Sequence, residues 1–138
     1  MAKISWIVPV NRVLKNENED MVLDSPITQL GLRVLPNNYS FNIAFGIIDI
    51  NISKENIVKF SMGTYIDGDK HILICTDLKL DTPKMEIDKE IIENNSVEFD
   101  SNINVNNFDF EHEGLHFIKL EIDEDSMETY FNVVIKGV

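Results

Sequence analysis

Three groupings of residues in this chain have the types and spacing to do chemistry. The first is His112-Glu113-Gly114-Leu115-His116, which satisfies the HExxH pattern of zinc metalloproteases. There, one helical face carries both histidines to the zinc, and the glutamate beside the metal acts as general base. The second is the acidic run Glu121 to Glu128, in which Asp123 and Asp125 are spaced like the first ligands of an EF-hand loop. Asp67 and Asp69 would supply two further carboxylates if loop tips met around a calcium ion. The third is the only thiol, Cys75. Glycines are dispersed, and no GxSxG elbow, P-loop or paired CxxC occurs. Paired carboxylates abound in so acidic a chain, so their presence alone does not point to acid–base work.

Each grouping needs a supporting element that the neighbouring residues do not provide. Phe108, Phe110 and His112 alternate with Asp109, Glu111 and Glu113, and a strand from Leu115 to Ile122 begins after Gly114. That is a period of two, so residues 108 to 122 are expected to run extended and the two histidines never stack along a helix. A third zinc ligand, Glu121 or Glu128, would come from the same hairpin. The calcium pattern breaks at the sixth position from Asp123, which is Glu128 where an EF-hand needs glycine, and strands flank it in place of helices. Cys75 ends the apolar run Ile72-Leu73-Ile74-Cys75 and reads as a small buried hydrophobe. The expectation is a chain with no catalytic residue, no cofactor and no metal ligand. The opposing reading is a metal-dependent enzyme or metal-binding protein using His112, Glu113 and His116.

Alternation and β-branched runs recur from end to end, and a helical stripe is hard to find. Strands are predicted at Ile4 to Leu14, Ile27 to Leu35, Tyr39 to Ile50, Asn56 to Ile66, His71 to Cys75, Ser96 to Val105, Leu115 to Ile122 and Met127 to Ile135. Pro9 places the first at an edge or a bulge. The polar stretch Lys15 to Asp20 reads as a loop. Asp67-Gly68-Asp69 reads as a tight hairpin turn, because Asp-Gly tolerates positive φ. In the third strand Phe41, Ile43 and Phe45 face one way and Asn42 and Ala44 the other. Thr76 to Asn94 is the least regular stretch, with room for one short helix near 84–93. About eight strands with short connections predict one all-β domain over residues 1–138, an antiparallel two-sheet sandwich. A closed barrel is the alternative, since strand spacing does not separate the two.

From about residue 40 onward the chain resembles uncharacterised bacterial and phage immunoglobulin-like β-sandwich proteins. The residues that carry this are Phe41-Asn42-Ile43-Ala44-Phe45-Gly46-Ile47, the Asp67-Gly68-Asp69-Lys70 hairpin, and Gly114-Leu115-His116-Phe117 leading into the final strand. The resemblance implies an immunoglobulin-like fold and no particular site, and Trp6-Ile7-Val8-Pro9-Val10 has no counterpart in it.

Composition narrows the function classes. A hydrophobic fraction of 43% and a charged fraction of 26% are those of a globular protein. The net charge of -12, with 12 basic against 24 acidic residues, argues against direct nucleic-acid binding and against an anionic membrane. Met1-Ala2-Lys3-Ile4-Ser5-Trp6 has no signal-peptide character, and without a cysteine framework the expected compartment is the cytoplasm. The chain is thus expected to be a non-enzymatic interaction or accessory module of a bacterium, phage or other mobile element. Its expected partner is a protein with a basic face, and a homo-oligomer is compatible with the sequence. An alternative is an acidic nucleic-acid mimic that inhibits a DNA- or RNA-binding protein, which needs its charges in one stripe. The expected interaction residues are Trp6, Tyr39 and Tyr65 as aromatic anchors, with Asp123, Glu124 and Asp125 at the terminal hairpin.

Overall fold

Residues 1–80 and 96–136 are described by the structure, a computed structural model. They form nine strands: β1 (Lys3–Lys15), β2 (Met21–Pro26), β3 (Gln29–Leu32), β4 (Asn37–Asn51), β5 (Asn56–Ile66), β6 (Asp69–Leu80), β7 (Ser96–Phe110), β8 (Gly114–Ile122) and β9 (Asp125–Ile135). One sheet has the order β2-β1-β4-β7 and the other β3-β9-β8-β5-β6. All pairings are antiparallel except β3 with β9, which is parallel. Among the described residues no ladder joins the two sheets, so the architecture is a sandwich and not a closed barrel.

The order is that of an immunoglobulin-like sandwich. Strands β1, β4 and β7 take the places of A, B and E, and β5, β6, β8 and β9 those of C, C′, F and G. The alternation seen in the sequence sets which side chains meet between the sheets. Ile43, Phe45 and Ile47 of β4 face Phe60 and Met62 of β5, Ile118 and Leu120 of β8, and Phe131 and Val133 of β9 in one core. Each such side chain contributes on the order of 1.5–3 kcal/mol by leaving water.

Three local expectations change. The predicted strand from Ile27 to Leu35 shortens to β3, and an unpredicted strand, β2, forms directly after the polar loop, with a break at Ile27 and Thr28 between the two. The break lets the chain change sheets: β2 pairs with β1, and β3 crosses to lie parallel to β9. Strand β7 runs on from Val105 to Phe110 past a register shift opposite Tyr39 and Phe41. Cys75 is exposed, not buried. Its apolar run lies on β6, the sheet's edge, where Ile74 turns toward the core and Cys75 turns out opposite Ser61. The helix expected near 84–93 lies outside the described residues.

Candidate interaction face

The HExxH segment is spread over a strand end, a connection and a strand start. Strand β7 stops at Phe110 and β8 starts at Gly114, whose φ of 106° suits glycine and not a helical residue. The three side chains diverge. His116, 1% exposed, points into the core, stacked on Phe131 at 5.4 Å between ring centres and edge-on to Phe110 at 5.6 Å. Its Nδ1 lies 3.0 Å from the Gly114 carbonyl and its Nε2 has no hydrogen-bond partner among the described residues. Burial pushes its pKa below the ordinary histidine value, against the Gly114 carbonyl, and the nearby His112 pushes the same way as burial. Glu113 accepts a bond from the Ile135 backbone N–H at 3.3 Å. His71 is on β6, with β5 between it and β8: Thr64 pairs with His71 on one side and His116 on the other. Among the described residues no three His, Cys, Asp or Glu side chains converge to hold a metal ion.

The carboxylates proposed for calcium also part company. Asp67 and Asp69 sit at the β5–β6 turn, at the end of the sheet where β8 begins, and Asp123 and Asp125 lie where β8 finishes. Asp123 accepts bonds from the Ala2 backbone N–H at 2.9 Å and from Lys54 Nζ at 2.8 Å, and Asp125 accepts one from the Ile4 N–H at 2.8 Å. These two carboxylates therefore fasten the start of β1 to the terminal hairpin. The Lys54 ammonium, then the Ala2 amide, hold the Asp123 carboxyl below the usual aspartate range. Glu124 is the exposed tip of the same turn.

The three aromatic anchors expected from sequence are divided between the sheets. Trp6 lies half-buried on β1, its indole crossing Gly46, where an added Cβ would stand 2.1 Å from Nε1. Tyr39, on β4, donates its hydroxyl to Asn11 Oδ1 at 2.7 Å. Tyr65 alone joins an aromatic cluster on the outer face of the five-stranded sheet. That cluster is built over a hole: Gly63 of β5 stands opposite Phe117 of β8, and a Cβ there would lie 1.9 Å from the His71 carbonyl oxygen and 2.8 Å from the Phe117 ring. Glycine lets Phe117 lie flat on the sheet, fully buried although it points away from the core. Tyr65 meets it edge-on at 5.8 Å, and Lys70 Nζ sits 4.2 Å above its centre.

Lys70 is bonded to Glu128, which also accepts the Tyr130 hydroxyl at 2.8 Å. Lys70 chiefly holds the Glu128 carboxyl below its ordinary range, and the bond to Glu128 raises the Tyr130 hydroxyl. Around this ordered centre Ile72, Leu115 and Tyr130 are 60%, 42% and 48% exposed. A hollow of about 330 Å³ runs past Ile72, Cys75, Phe117 and Lys119. The result is an apolar and aromatic surface on which Lys70 is bonded to Glu128 and Lys119 stands 3.5 Å from Glu121. Lysines alternate with carboxylates here, so the face offers no single-sign stripe of the kind a nucleic-acid mimic needs. Tyr65 was legible in the sequence. Phe117, Lys70 and Glu128 were not, because only register reveals that Gly63 lies beneath the ring.

Together the fold and this face define an immunoglobulin-like sandwich with an exposed aromatic sheet surface. No family model matches the chain, and no curated protein matches it. Among solved structures it is similar to part of a β-glucosidase from Listeria innocua in complex with gluconolactone, with 11% identity and a TM-score of 0.48. That match covers 80% of this chain and 15% of the other. The same enzyme's isofagomine complex matches at 11% identity and a TM-score of 0.46, over 77% of this chain and 14% of that one. Likeness at this level carries no argument about activity. No helix among the described residues is long and apolar enough to cross a membrane.

Proposed function

We propose that the chain is a protein-interaction module, an accessory protein of a bacterium, phage or other mobile element acting in the cytoplasm, and that it works by binding and not by catalysis. The observation that carries this reading is the outer face of the five-stranded sheet, where exposed Ile72, Leu115 and Tyr130 surround the braced Phe117–Lys70–Glu128 centre. Large apolar side chains gathered on one sheet face have no role in the core of this domain, and such patches mark docking surfaces. The rigid aromatic and the paired charges supply what an interface needs: anchor area ordered before binding, and polar groups satisfied at its rim.

The test is affinity capture from the encoding cell with the wild-type chain and an Ile72→Glu/Leu115→Glu variant whose circular dichroism matches it. A protein retained by the first and lost with the second supports the reading. Identical capture profiles would reject this face as the docking surface.

A further inference from the structure

The four-stranded sheet ends too soon on the flank where β6 lies. Its edge strand β7 has no neighbour on its outer side among the described residues, whereas the facing sheet continues to β6. Between them opens a cavity of about 540 Å³, lined by Phe60, Ile74 and Leu78 on one side and Ile103, Val105 and Phe108 on the other. A second hollow of about 300 Å³ continues it past Leu80 and Phe99. This is the volume that the inward side chains of one more strand beside β7 would fill.

The edge itself is suited to pairing. From Phe99 to Val105, β7 holds an unbroken register with β4. Alternate residues there turn N–H and C=O groups away from β4, a row that another strand can bond. On the outer face this stretch carries Asp100, Asn102 and Asn104, with Glu98 at the register shift just before it, two carboxylates and two amides with no cation among them. Neither Glu98 nor Asp100 takes part in an ion pair among the described residues. The other edge near the groove, β6, holds an unbroken register from Ile74 to Leu80 but carries Asp77 and Lys79 side by side, so it offers no single sign of charge to a partner.

We propose that β7 accepts an extended segment of a partner protein as a fifth strand of its sheet, a segment of alternating apolar and basic residues. Its apolar side chains enter the groove against Ile74, Leu78 and Ile103, and its basic ones stand on the outer face beside Glu98 and Asp100. Charge selects this occupant over two others. A second copy's β7 would set carboxylate against carboxylate across the pair, which is unfavourable. Residues 81–95, which join β6 to β7, carry Asp81, Glu86, Asp88, Glu90 and Glu93 against Lys84 and Lys89, the same sign as the edge. The inference rests on the reading of the chain as an interaction module but uses a surface separate from the aromatic face.

The probe is a fluorescent nine-residue peptide alternating Val and Lys, compared with one alternating Val and Glu, and with the Val/Lys peptide methylated at alternate backbone nitrogens. Binding is read by anisotropy at physiological salt, and its place by amide hydrogen exchange of the full chain. The expected result is saturable binding of the Val/Lys peptide, at least tenfold weaker for the other two. Amide exchange at alternate residues between Phe99 and Val105 should slow by at least tenfold. A Glu98→Lys/Asp100→Lys variant should reverse the preference between the Lys and Glu peptides. No saturable binding, equal binding of the methylated peptide, or protection mapping elsewhere would overturn the proposal. Full protection of those amides in the chain alone would do the same, with 81–95 then already in place. An Ile72→Glu/Leu115→Glu variant should keep peptide binding, so failure of this edge and failure of the aromatic face are told apart.

Discussion

Acidification from pH 7.5 to 5 should weaken the fold through His116. In the folded chain the imidazole is 1% exposed, stacked on Phe131 and edge-on to Phe110, with no acceptor at Nε2 among the described residues. Burial disfavours its charged form, so the folded pKa lies below the unfolded value of 6.5. Between those two values the unfolded chain binds a proton that the folded chain refuses, and stability therefore falls as pH falls. This contribution is fully present above the unfolded pKa and is lost on the way down to the folded one. The slope cannot exceed about 1.4 kcal/mol per pH unit for one group, so the loss by pH 5 is at most about 2 kcal/mol.

The assay is urea unfolding followed by the fluorescence of Trp6, the only tryptophan, at half-unit steps of pH. With a urea slope of about 1–3 kcal/mol per molar, the full effect moves the midpoint by on the order of 1 M. The partner measurement uses His116→Phe, which keeps a ring against Phe110 and Phe131 and removes the titration. Its stability should be flat over the same range. Parallel curves for the two proteins between pH 7.5 and 5 would refute the assignment of this acid sensitivity to His116.

Other expectations follow from the same geometry. Asp123→Ala removes the acceptor of the Ala2 N–H and the partner of Lys54; it should cost about 1–3 kcal/mol in urea unfolding, and wild-type stability would count against the tether. The Asp123 share of stability should be present above the ordinary aspartate pKa of 3.8 and lost as pH falls through its lower folded value, visible as a second acid transition that Asp123→Ala lacks. Gly63→Ala places a methyl 1.9 Å from a backbone oxygen, so β5 and β6 must separate; a loss of about 2 kcal/mol or more is expected in urea unfolding, and a neutral result would contradict the close approach. Cys75 should react with a maleimide in the folded chain without denaturant, where a buried thiol would wait for unfolding. Zinc should leave the melting temperature unmoved, because His116 faces the core; a rise that grows with zinc concentration would instead reveal a bound site.

Period-two patterning decided much of the outcome before any fold was in hand. It placed Phe41, Ile43 and Phe45 on one buried face of β4, set the Asp67–Gly68 hairpin, and kept His112 and His116 off a common helical face. Those features depend only on neighbours along the chain, where the alternation of Cβ directions is fixed by backbone geometry. Position within a sheet is not written locally. Cys75 looked buried because its run is apolar, yet β6 is an edge strand, and Asp123 and Asp125 looked like a free acidic tip until the start of β1 was brought beside them. The two proposed surfaces belong to this second kind: Phe117 rests on Gly63 from another strand, and the groove beside β7 opens where, among the described residues, one sheet ends before the other. Pairing between distant segments creates both, so the sequence alone determined most of the strands and the alternation along them, and only the tertiary structure decided which faces and edges were left open.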